Sequence, residues 1–304
     1  HIYILTGPDH APAIAEQLPG LPKENIFIEP SPRGTAPCLG LAAMRLRQRN
    51  PGHSVMLSLH ADHAIAQEEQ FRLALVAAVH KAREGFIVTV GIVPDHPDTG
   101  FGYIERGELL GRESAGDTYR VARFTEKPPA GKAREFVASG RFYWNAGYFT
   151  WTLDNILAEY QRLLPETYAR LGEMISAKGE AQSQSMWEQI DRVSIDVGIM
   201  EKAENVAVVP CDMGWSDVGS WAAIYALSPQ NSEGNVVLGE GIHVGMDTTN
   251  SLIYSEGKLI ATIGLQDMIV VDTEDALLIL PKARAQEVNS LVKKLRALGL
   301  EKQL

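Results

Sequence analysis

Two aspartates are the first candidates for chemistry, because a pair of carboxylates can hold a hard cation such as Mg²⁺. Asp62 follows the apolar run at residues 55–59, which has the length of a buried strand. Asp217 lies in the glycine-flanked stretch at residues 214–219, where small neighbours let a ligand approach the backbone. Open α/β sheets bind ligands beyond the carboxyl ends of their strands, so we expect both aspartates to bind Mg²⁺ on a polyphosphate. The alternative for Asp62 is a cap on the next helix.

The segment EPSPRGTAP, at residues 29–37, joins the end of a predicted strand to the start of a predicted helix. Its prolines and its glycine fix an unusual backbone, against which a nucleobase fits. The carboxylate of Glu29 can accept hydrogen bonds from both N1–H and the 2-amino group of guanine, a pair of donors that adenine lacks. The alternative is a stiff turn in which Thr35 caps the helix.

Glu126 and Lys127 place one charge of each sign at the end of another predicted strand. The ammonium group of Lys127 can neutralise a phosphate, and the carboxylate of Glu126 can accept hydrogen bonds from sugar hydroxyls. The alternative is a surface ion pair at a turn, which usually contributes ~1 kcal/mol or less.

Asn145 and Gly147 lie in a segment dense in aromatic residues. An amide can both donate to and accept from hydroxyls, and aromatic rings offer flat apolar faces, so the segment suits a sugar pocket. The alternative is that it forms the aromatic edge of the core. The aromatic neighbours are Tyr143, Trp144 and Tyr148.

The first half of the chain alternates between strand and helix signals, which predicts a parallel sheet with helices on both faces. The candidate residues follow the ends of these strands, where such a sheet would bring them together. The predicted strands are 2–5, 26–28, 55–59, 86–90, 119–125 and 206–209, and the predicted helices are 35–48, 68–84, 131–139 and most of 153–190.

Helical periodicity disappears for some 55 residues after Tyr225, and five short β-rich pieces appear between glycine, asparagine and aspartate residues. This pattern predicts a small β-domain, either a sandwich or a short solenoid of stacked turns. An amphipathic helix at about residues 283–298 ends the chain. We therefore predict two domains, at residues 1–225 and 226–304.

Composition excludes several classes of partner. The 304 residues carry a net charge of −10, which argues against binding to nucleic acid or an anionic membrane. No apolar run approaches the ~18 residues of a membrane span. Cys38 and Cys211 show no metal-ligand spacing, and we interpret them as free thiols of a reducing compartment, which favours the cytoplasm. The sequence contains no hydrolase elbow and no G-x-x-x-x-G-K-[ST] loop.

Seven segments occur in the order seen in sugar-1-phosphate nucleotidylyltransferases, and more narrowly the chain resembles the mannose-1-phosphate guanylyltransferases. The resemblance covers about residues 1–225, and the C-terminal part also fits it. It implies a Rossmann-like nucleotidyltransferase domain with a mixed, mainly parallel sheet, followed by a small β-helix-like domain and a terminal helix. The segments are EPSPRGTAP, LHADH, TGFGYIE, FTEKP, YWNAGYF, IDVGIMEKA and GWSDVGSW.

The resemblance also implies a Mg²⁺-dependent reaction in which GTP and mannose 1-phosphate give GDP-mannose and pyrophosphate, in an enzyme that is often a homodimer. The sugar phosphate is already an oxyanion, so catalysis requires positioning and neutralisation of charge rather than a general base. The implied roles are Asp62 and Asp217 on Mg²⁺; Glu29, Arg33, Gly34 and Thr35 around the base; Gly102, Glu126, Asn145 and Gly147 around the sugar; and Lys127 on its phosphate.

The family opens with a strand and a glycine-rich loop of the type G-G-x-G-T-R-L, and this sequence has neither. We therefore expect residues ahead of His1, and little activity from a chain that begins there. No cupin-like extension follows, so isomerase activity is not expected. Two alternatives remain open. One is transfer to glucose 1-phosphate from dTTP or UTP, and the other is a non-catalytic subunit that binds a sugar nucleotide.

Overall fold

A computed structural model describes residues 1–50, 52–113, 116–177 and 179–300. The chain divides into two compact units. The first comprises His1–Ala61 and Ile65–Trp215, and the second comprises Asp62–Ala64 and Ser216–Leu304. This division lies before the domain boundary that the sequence predicts at residues 225 and 226. No helix in the described residues combines the length and the apolar character that crossing a membrane requires.

The strands as far as residue 216 are β1 (Ile4–Thr6), β2 (Ile26–Ile28), β3 (Val55–Ser58), β4 (Ala64–Ile65), β5 (Ile87–Ile92), β6 (Tyr103–Glu113), β7 (Gly116–Thr125), β8 (Phe142–Thr152), β9 (Val206–Cys211) and β10 (Trp215–Ser216). The helices of the first unit are α1 (Ala11–Gln17), α2 (Thr35–Arg49), α3 (Glu68–Arg83), α4 (Ala130–Ser139), α5 (Leu153–Leu163), α6 (Pro165–Ser176) and α7 (Glu180–Glu188). A 3-10 helix at Lys23–Asn25 and a π-helix at Asp196–Met200 complete it. Most predicted elements are therefore confirmed, with shifts of a few residues at their ends.

The main sheet of the first unit has six strands in the order β3-β8-β5-β9-β7-β6, and β1 pairs with β2 in a separate parallel ladder. Strands β3, β5, β6 and β9 share one direction, but β7 and β8 run the opposite way between them. Among the described strands of this sheet only β5 and β9 form a parallel pair. The sheet is mixed as predicted, but the expectation that it is mainly parallel is wrong for its hydrogen-bonded pairs. Apolar runs reveal burial but not strand direction, so the insertion of β8 between β3 and β5 was not predictable.

Helices cover both faces of this sheet, as predicted. Alternate residues of β5 point to opposite faces: Val88 and Val90 belong to the core under α3 and α4, whereas Ile87 belongs to the core under α2 and α5. All of β5 is buried. The central strand is therefore a rigid support for the loops at its carboxyl end.

The aromatic residues of β8 are part of the core. Tyr143, Trp144 and Tyr148 expose only 7%, 5% and 1% of their surface. The prediction that these rings flank a sugar is therefore wrong, and the alternative of an aromatic core edge is confirmed. Strand β8 lies inside the sheet between helices, so its large side chains are buried on both faces. Only the half-buried positions Asn145 and Gly147 remain accessible on this part of the strand.

The second unit is a short parallel solenoid and not a sandwich. Its strands are β11 (Val236–Gly239), β12 (Ile242–Met246), β13 (Leu252–Ser255), β14 (Leu259–Ile263), β15 (Met268–Asp272) and β16 (Leu277–Pro281). One ladder runs β11-β13-β15 with parallel pairing and ends with antiparallel β16, and a second ladder pairs β12 with β14.

Stacked apolar residues fill the core of this unit, and Val236, Leu252 and Ile269 occupy equivalent positions in it. Helix α8 (Trp221–Leu227) precedes the solenoid. The single C-terminal helix predicted at 283–298 is instead a 3-10 helix at Lys282–Glu287 followed by α9 (Val288–Ala297).

Candidate functional site

Five of the predicted site residues meet at one end of the main sheet, and we call them the Asn145 cluster: Gly102, Glu126, Lys127, Asn145 and Gly147. The main-chain N–H of Asn145 donates to the carbonyl of Gly102 over 2.8 Å. Gly102 lies against Glu126 so closely that a Cβ atom there would be 2.5 Å from Oε2 of the carboxylate. Residues that are far apart in the sequence are therefore neighbours in the fold.

The side chain of Asn145 is held by three protein groups. Its Oδ1 accepts from the hydroxyl of Thr89 over 3.0 Å and from the main-chain N–H of Gly147 over 3.2 Å. Its Nδ2 donates to Oδ1 of Asp196 over 2.9 Å. A main-chain N–H can only donate, so the bond from Gly147 fixes which way the amide faces.

Gly147 allows a close approach that a Cβ atom would obstruct. Its φ is +71°, in the region that side chains rarely adopt. A Cβ atom would lie 2.5 Å from Nε2 of His60. His60, in the LHADH segment, therefore packs against the Asn145 cluster.

Glu126 and Lys127 form the ion pair of the alternative interpretation, with 2.7 Å between Nζ and Oε1. The Lys127 side chain is 64% exposed and that of Glu126 is 28% exposed. The φ of Lys127 is +44°, a conformation that is unusual for a residue with a side chain and that is often found at functional sites. The ion pair leaves the ammonium group accessible to an anion.

The Glu29 loop, residues 29–35, is bound to helix α7 and to the chain between α7 and the π-helix. Indole Nε1 of Trp187 donates to the carbonyl of Ser31 over 2.7 Å. The hydroxyl of Thr35 accepts from the main-chain N–H of Ile195 over 2.8 Å. The N-cap of α2 is Gly34 and it receives no side-chain cap, so the alternative in which Thr35 caps this helix is wrong.

Gly34 also permits a close contact. Its φ is +84°, and a Cβ atom there would lie 2.5 Å from the carbonyl oxygen of Val193. The main-chain N–H of Val193 donates to the carbonyl of Arg33 over 3.1 Å. The resemblance places Gly34 and Thr35 around the base. In the structure these two residues fix the Glu29 loop to the chain at Val193 and Ile195.

Three polar atoms of the Glu29 loop are buried without a hydrogen-bond partner among the described residues: Glu29 Oε2, Ser31 Oγ and Arg33 Nε. Burial raises the pKa of Glu29. Burial together with the charge of Glu29 raises the pKa of the nearby Cys38 thiol to about 12, so this thiol is inert. Buried polar groups normally have partners, and their concentration in one loop indicates a place where a ligand supplies them.

Asp62 and Asp217 both belong to the second unit, although they are far apart in the chain. The Asp62 side chain is exposed, and Asp217 is half-buried with its Oδ1 accepting the main-chain N–H of Gly219 over 3.0 Å. The N-cap of α3 is Gln67, so the alternative in which Asp62 caps this helix is wrong. Both carboxylates retain oxygen atoms of the kind that Mg²⁺ prefers.

The family model described as "Nucleotidyl transferase" matches residues 1–234, about three quarters of the chain. The chain belongs to this nucleotidyl transferase family. A second model, the "MannoseP isomerase/GMP-like beta-helix domain", matches residues 241–295. The predicted family and the predicted two-part fold, a nucleotidyltransferase domain followed by a β-helix-like domain, are therefore confirmed.

Members of this nucleotidyl transferase family with curated names are similar over nearly the whole chain. A mannose-1-phosphate guanylyltransferase of Escherichia coli strain K12 is 38% identical over 304 residues, covering 97% of this chain and 63% of the relative. One from Salmonella typhimurium is 39% identical with the same coverage. The chain thus spans 63% of the length of these two relatives.

A solved structure from Thermus thermophilus is also similar. It is described as a mannose-1-phosphate geranyltransferase and superimposes with a TM-score of 0.83 at 32% identity. The match covers 96% of this chain and 83% of that structure.

Residues 193–196, which we call the linking segment, join the Glu29 loop to the Asn145 cluster in this nucleotidyl transferase fold. Val193 and Ile195 bind the loop, and Asp196 binds Asn145. Asp196 is not among the site residues predicted from the sequence. The signal that points to it is its place in the segment IDVGIMEKA, which contributes to the resemblance.

Burial, and then the like charge of Glu126, raise the pKa of Asp196 above its ordinary value of 3.8, while the bond from Asn145 and the charge of Lys127 act in the opposite direction. Asp196 is also the first residue of the π-helix Asp196–Met200, a helix type that is frequent at functional sites. The first unit therefore holds two carboxylates and one ammonium group around a fixed amide.

Proposed function

We propose that this chain catalyses nucleotidyl transfer from GTP to mannose 1-phosphate, giving GDP-mannose and pyrophosphate. The observation that carries the proposal is that one segment joins a loop with unpaired buried polar atoms to a cluster with a fixed amide and an accessible ammonium group. The Glu29 loop suits a base, and the Asn145 cluster suits a sugar phosphate. The names of the similar Escherichia coli and Salmonella enzymes support the same reaction.

Glu29 is the residue that we assign to guanine. Its unpaired carboxylate oxygen can accept from the base, and its raised pKa falls when N–H donors bind the charged form. The Nε–H of Arg33 in this loop is also buried without a partner in the described part of the chain, which suits a carbonyl oxygen of the base.

Lys127 is assigned to the phosphate of mannose 1-phosphate. A phosphate oxygen attacks the α-phosphorus of GTP in line, a new phosphorus–oxygen bond forms, and the bond to the leaving pyrophosphate breaks. The attacking oxygen is already negatively charged, so no group of the protein has to remove a proton. Lys127 offsets the charge that accumulates.

Asp62 and Asp217 are assigned to Mg²⁺. They fit a hard cation because both are carboxylates with accessible oxygens and both belong to the same compact unit. A bound Mg²⁺ would polarise the phosphates of GTP and neutralise their charge.

A homodimer in the cytoplasm completes the proposal. The two cysteines are free thiols, which suits a reducing compartment.

The homodimer is proposed from the outer face of β12 and β14, which is apolar. Its side chains Ile242, Val244, Leu259 and Ile263 are between 55% and 78% exposed. Contiguous apolar surface of this kind commonly marks a protein contact. Light scattering on the wild-type protein and on Val244→Glu tests this: we expect a dimer for the first and a monomer for the second.

The decisive experiment is release of pyrophosphate by the full-length protein from three mixtures: GTP with mannose 1-phosphate, and dTTP or UTP with glucose 1-phosphate. We expect release from the first. Release from another mixture alone would assign the enzyme to a different pair of substrates. Binding of GDP-mannose without any release would identify a non-catalytic binding subunit.

Removal of the metal gives an independent test. A chelator should abolish pyrophosphate release, and excess Mg²⁺ should restore it. Asp217→Asn should require more Mg²⁺ for half-maximal rate, whereas the exposed Asp212→Asn should titrate like the wild type. Identical Mg²⁺ titrations for all three proteins would remove Asp217 from the metal site.

A further inference from the structure

We infer that Asp196 is a specificity-determining residue that accepts hydrogen bonds from hydroxyl groups of the hexose. The inference rests on the proposed function in that it takes the ligand to be a sugar nucleotide. It adds a residue that lies in the segment IDVGIMEKA but was not among the predicted site residues.

The first step concerns what Asn145 can still offer to a ligand. A side-chain amide has two acceptor lone pairs and two N–H donors. Thr89 and Gly147 take both acceptor positions, and Asp196 takes one donor. Asn145 therefore retains a single N–H for a sugar, and it has no capacity left to accept from a hydroxyl.

The second step concerns which group supplies acceptors. Sugar hydroxyls are donors that need acceptors when they leave water. An ionised carboxylate has about four acceptor positions, and the contact of Asp196 with Asn145 involves one oxygen, Oδ1. Glu126 has one oxygen engaged by Lys127. Asp196 is thus the carboxylate of this region whose remaining acceptor positions are not shared with the ammonium group.

The third step concerns precision. Asp196 is held by an amide that is itself fixed by two further bonds, and it begins a π-helix in which Gly198, Ile199 and Met200 are buried. A carboxylate that is fixed in this way can distinguish epimers, because a hydroxyl in the wrong orientation leaves a buried acceptor unpaired.

The test measures binding by the full-length protein in Mg²⁺, using calorimetry. The ligands are GDP, GDP-mannose, GDP-glucose, UDP, UDP-glucose, dTDP and dTDP-glucose. The quantity compared is the sugar increment, which is the Kd of the nucleoside diphosphate divided by the Kd of its sugar nucleotide. For Asp196→Asn we expect the increment to fall about 10- to 100-fold, with the Kd of the bare diphosphate unchanged within about twofold.

Asp191→Asn is the matched control, because it makes the same change of charge at an exposed position just ahead of the linking segment. Its sugar increment should equal that of the wild type. An unchanged increment in Asp196→Asn would overturn the inference. An equal loss for diphosphate and sugar nucleotide would also overturn it, because it would mean that Asp196 only supports the Glu29 loop.

The remaining outcomes separate the inference from the proposed function. If only UDP-glucose or dTDP-glucose binds, the proposed substrates are wrong but the increment still tests Asp196. If no sugar nucleotide binds, both proposals fail. Should Asp196→Asn not fold, single-deoxy analogues of the bound sugar nucleotide decide the question in the wild-type protein. At least one should bind about tenfold or more weakly, and equal binding of all of them would overturn the inference.

Discussion

The Glu29 loop and the Asn145 cluster differ in how their polar groups are satisfied. The loop buries polar atoms of Glu29, Ser31 and Arg33 without a partner among the described residues. In the cluster, Asn145 makes three bonds and Lys127 is paired with Glu126. A ligand at the loop therefore adds bonds to groups that lack them. A ligand at the cluster meets groups that already bind one another, such as Lys127 and Glu126, and uses the donor and acceptor positions that those bonds leave over.

This difference suggests two contributions to one reaction. Buried polar groups without a partner cost free energy, and a ligand that supplies hydrogen bonds to them recovers that cost as affinity. The loop therefore suits the recognition of a base. A cluster whose groups satisfy each other is ordered before the substrate arrives, so it suits the positioning of reacting atoms. The linking segment keeps the two at a fixed separation.

The largest expected effect is that of Lys127→Met, which removes the ammonium group and frees Glu126 while keeping the length of the side chain. We expect kcat for pyrophosphate release to fall about 10²- to 10³-fold, the usual cost of losing a group that stabilises charge in the transition state. Lys132→Met, at an exposed position of α4, is the control. A kcat within twofold of the wild type would show that the ion pair has only a surface role.

Glu29→Gln should change the choice of base. We expect KM for GTP to rise about 10- to 100-fold, with little change for ITP, which lacks the 2-amino donor. The preference for GTP over ITP should therefore disappear in steady-state kinetics. Glu24→Gln, an exposed neighbour in the 3-10 helix, should keep it. The same loss with both nucleotides would show that Glu29 does not contact the 2-amino group.

Gly34→Ala tests the connection between the two regions. The new Cβ would lie 2.5 Å from the carbonyl oxygen of Val193, at a φ of +84°, so loop and linking segment have to move apart. We expect a loss of about 1–3 kcal/mol in the free energy of unfolding. Gly131→Ala, where a Cβ meets nothing within 4 Å, is the control and should be neutral or slightly stabilising in denaturant melts.

The smallest expected effect is the pH dependence of stability at Glu29. Its pKa in the folded protein lies above the ordinary value of 4.5 because of burial, so the folded state holds this proton more tightly than the unfolded state. The associated stability is present below pH 4.5 and is lost as the pH rises through the folded pKa. Glu29→Gln should therefore melt a few degrees higher than the wild type at pH 7 and equally at pH 4. A lower melting temperature at pH 7 would show that the carboxylate has a partner in the folded protein.

Local pattern predicted the positions of most helices and strands, because each needs only a few neighbours to be recognised. Local pattern does not predict features that depend on residues far away in the sequence, such as the order of strands in a sheet. Nothing in the apolar run of β8 indicates that it separates β3 from β5. Strand β12 was missed although Ile242, Val244 and Met246 alternate with His243 and Gly245, which is a strand pattern; these three apolar side chains are exposed.

The candidate site shows the same limit. The order of the motifs predicted the five members of the Asn145 cluster as site residues, and the structure places them together. It could not identify Asp196, because its significance is a hydrogen bond to a residue 51 positions earlier in the chain. Motif order also does not distinguish Glu29, one oxygen of which has no partner among the residues that the structure describes, from Thr35, whose hydroxyl accepts from the N–H of Ile195.

The parallel stack of the second unit constrains how its length can change. Equivalent residues of neighbouring rungs, such as Val236, Leu252 and Ile269, are 16 and 17 positions apart. Stability in such a stack adds rung by rung, so gain or loss of a complete rung leaves the other rungs in register. Insertion of one residue within a strand would instead turn inward side chains outward. Antiparallel β16 covers the edge of β15 and ends the parallel series there, so we expect length variants of this unit to differ by whole rungs inserted ahead of β16.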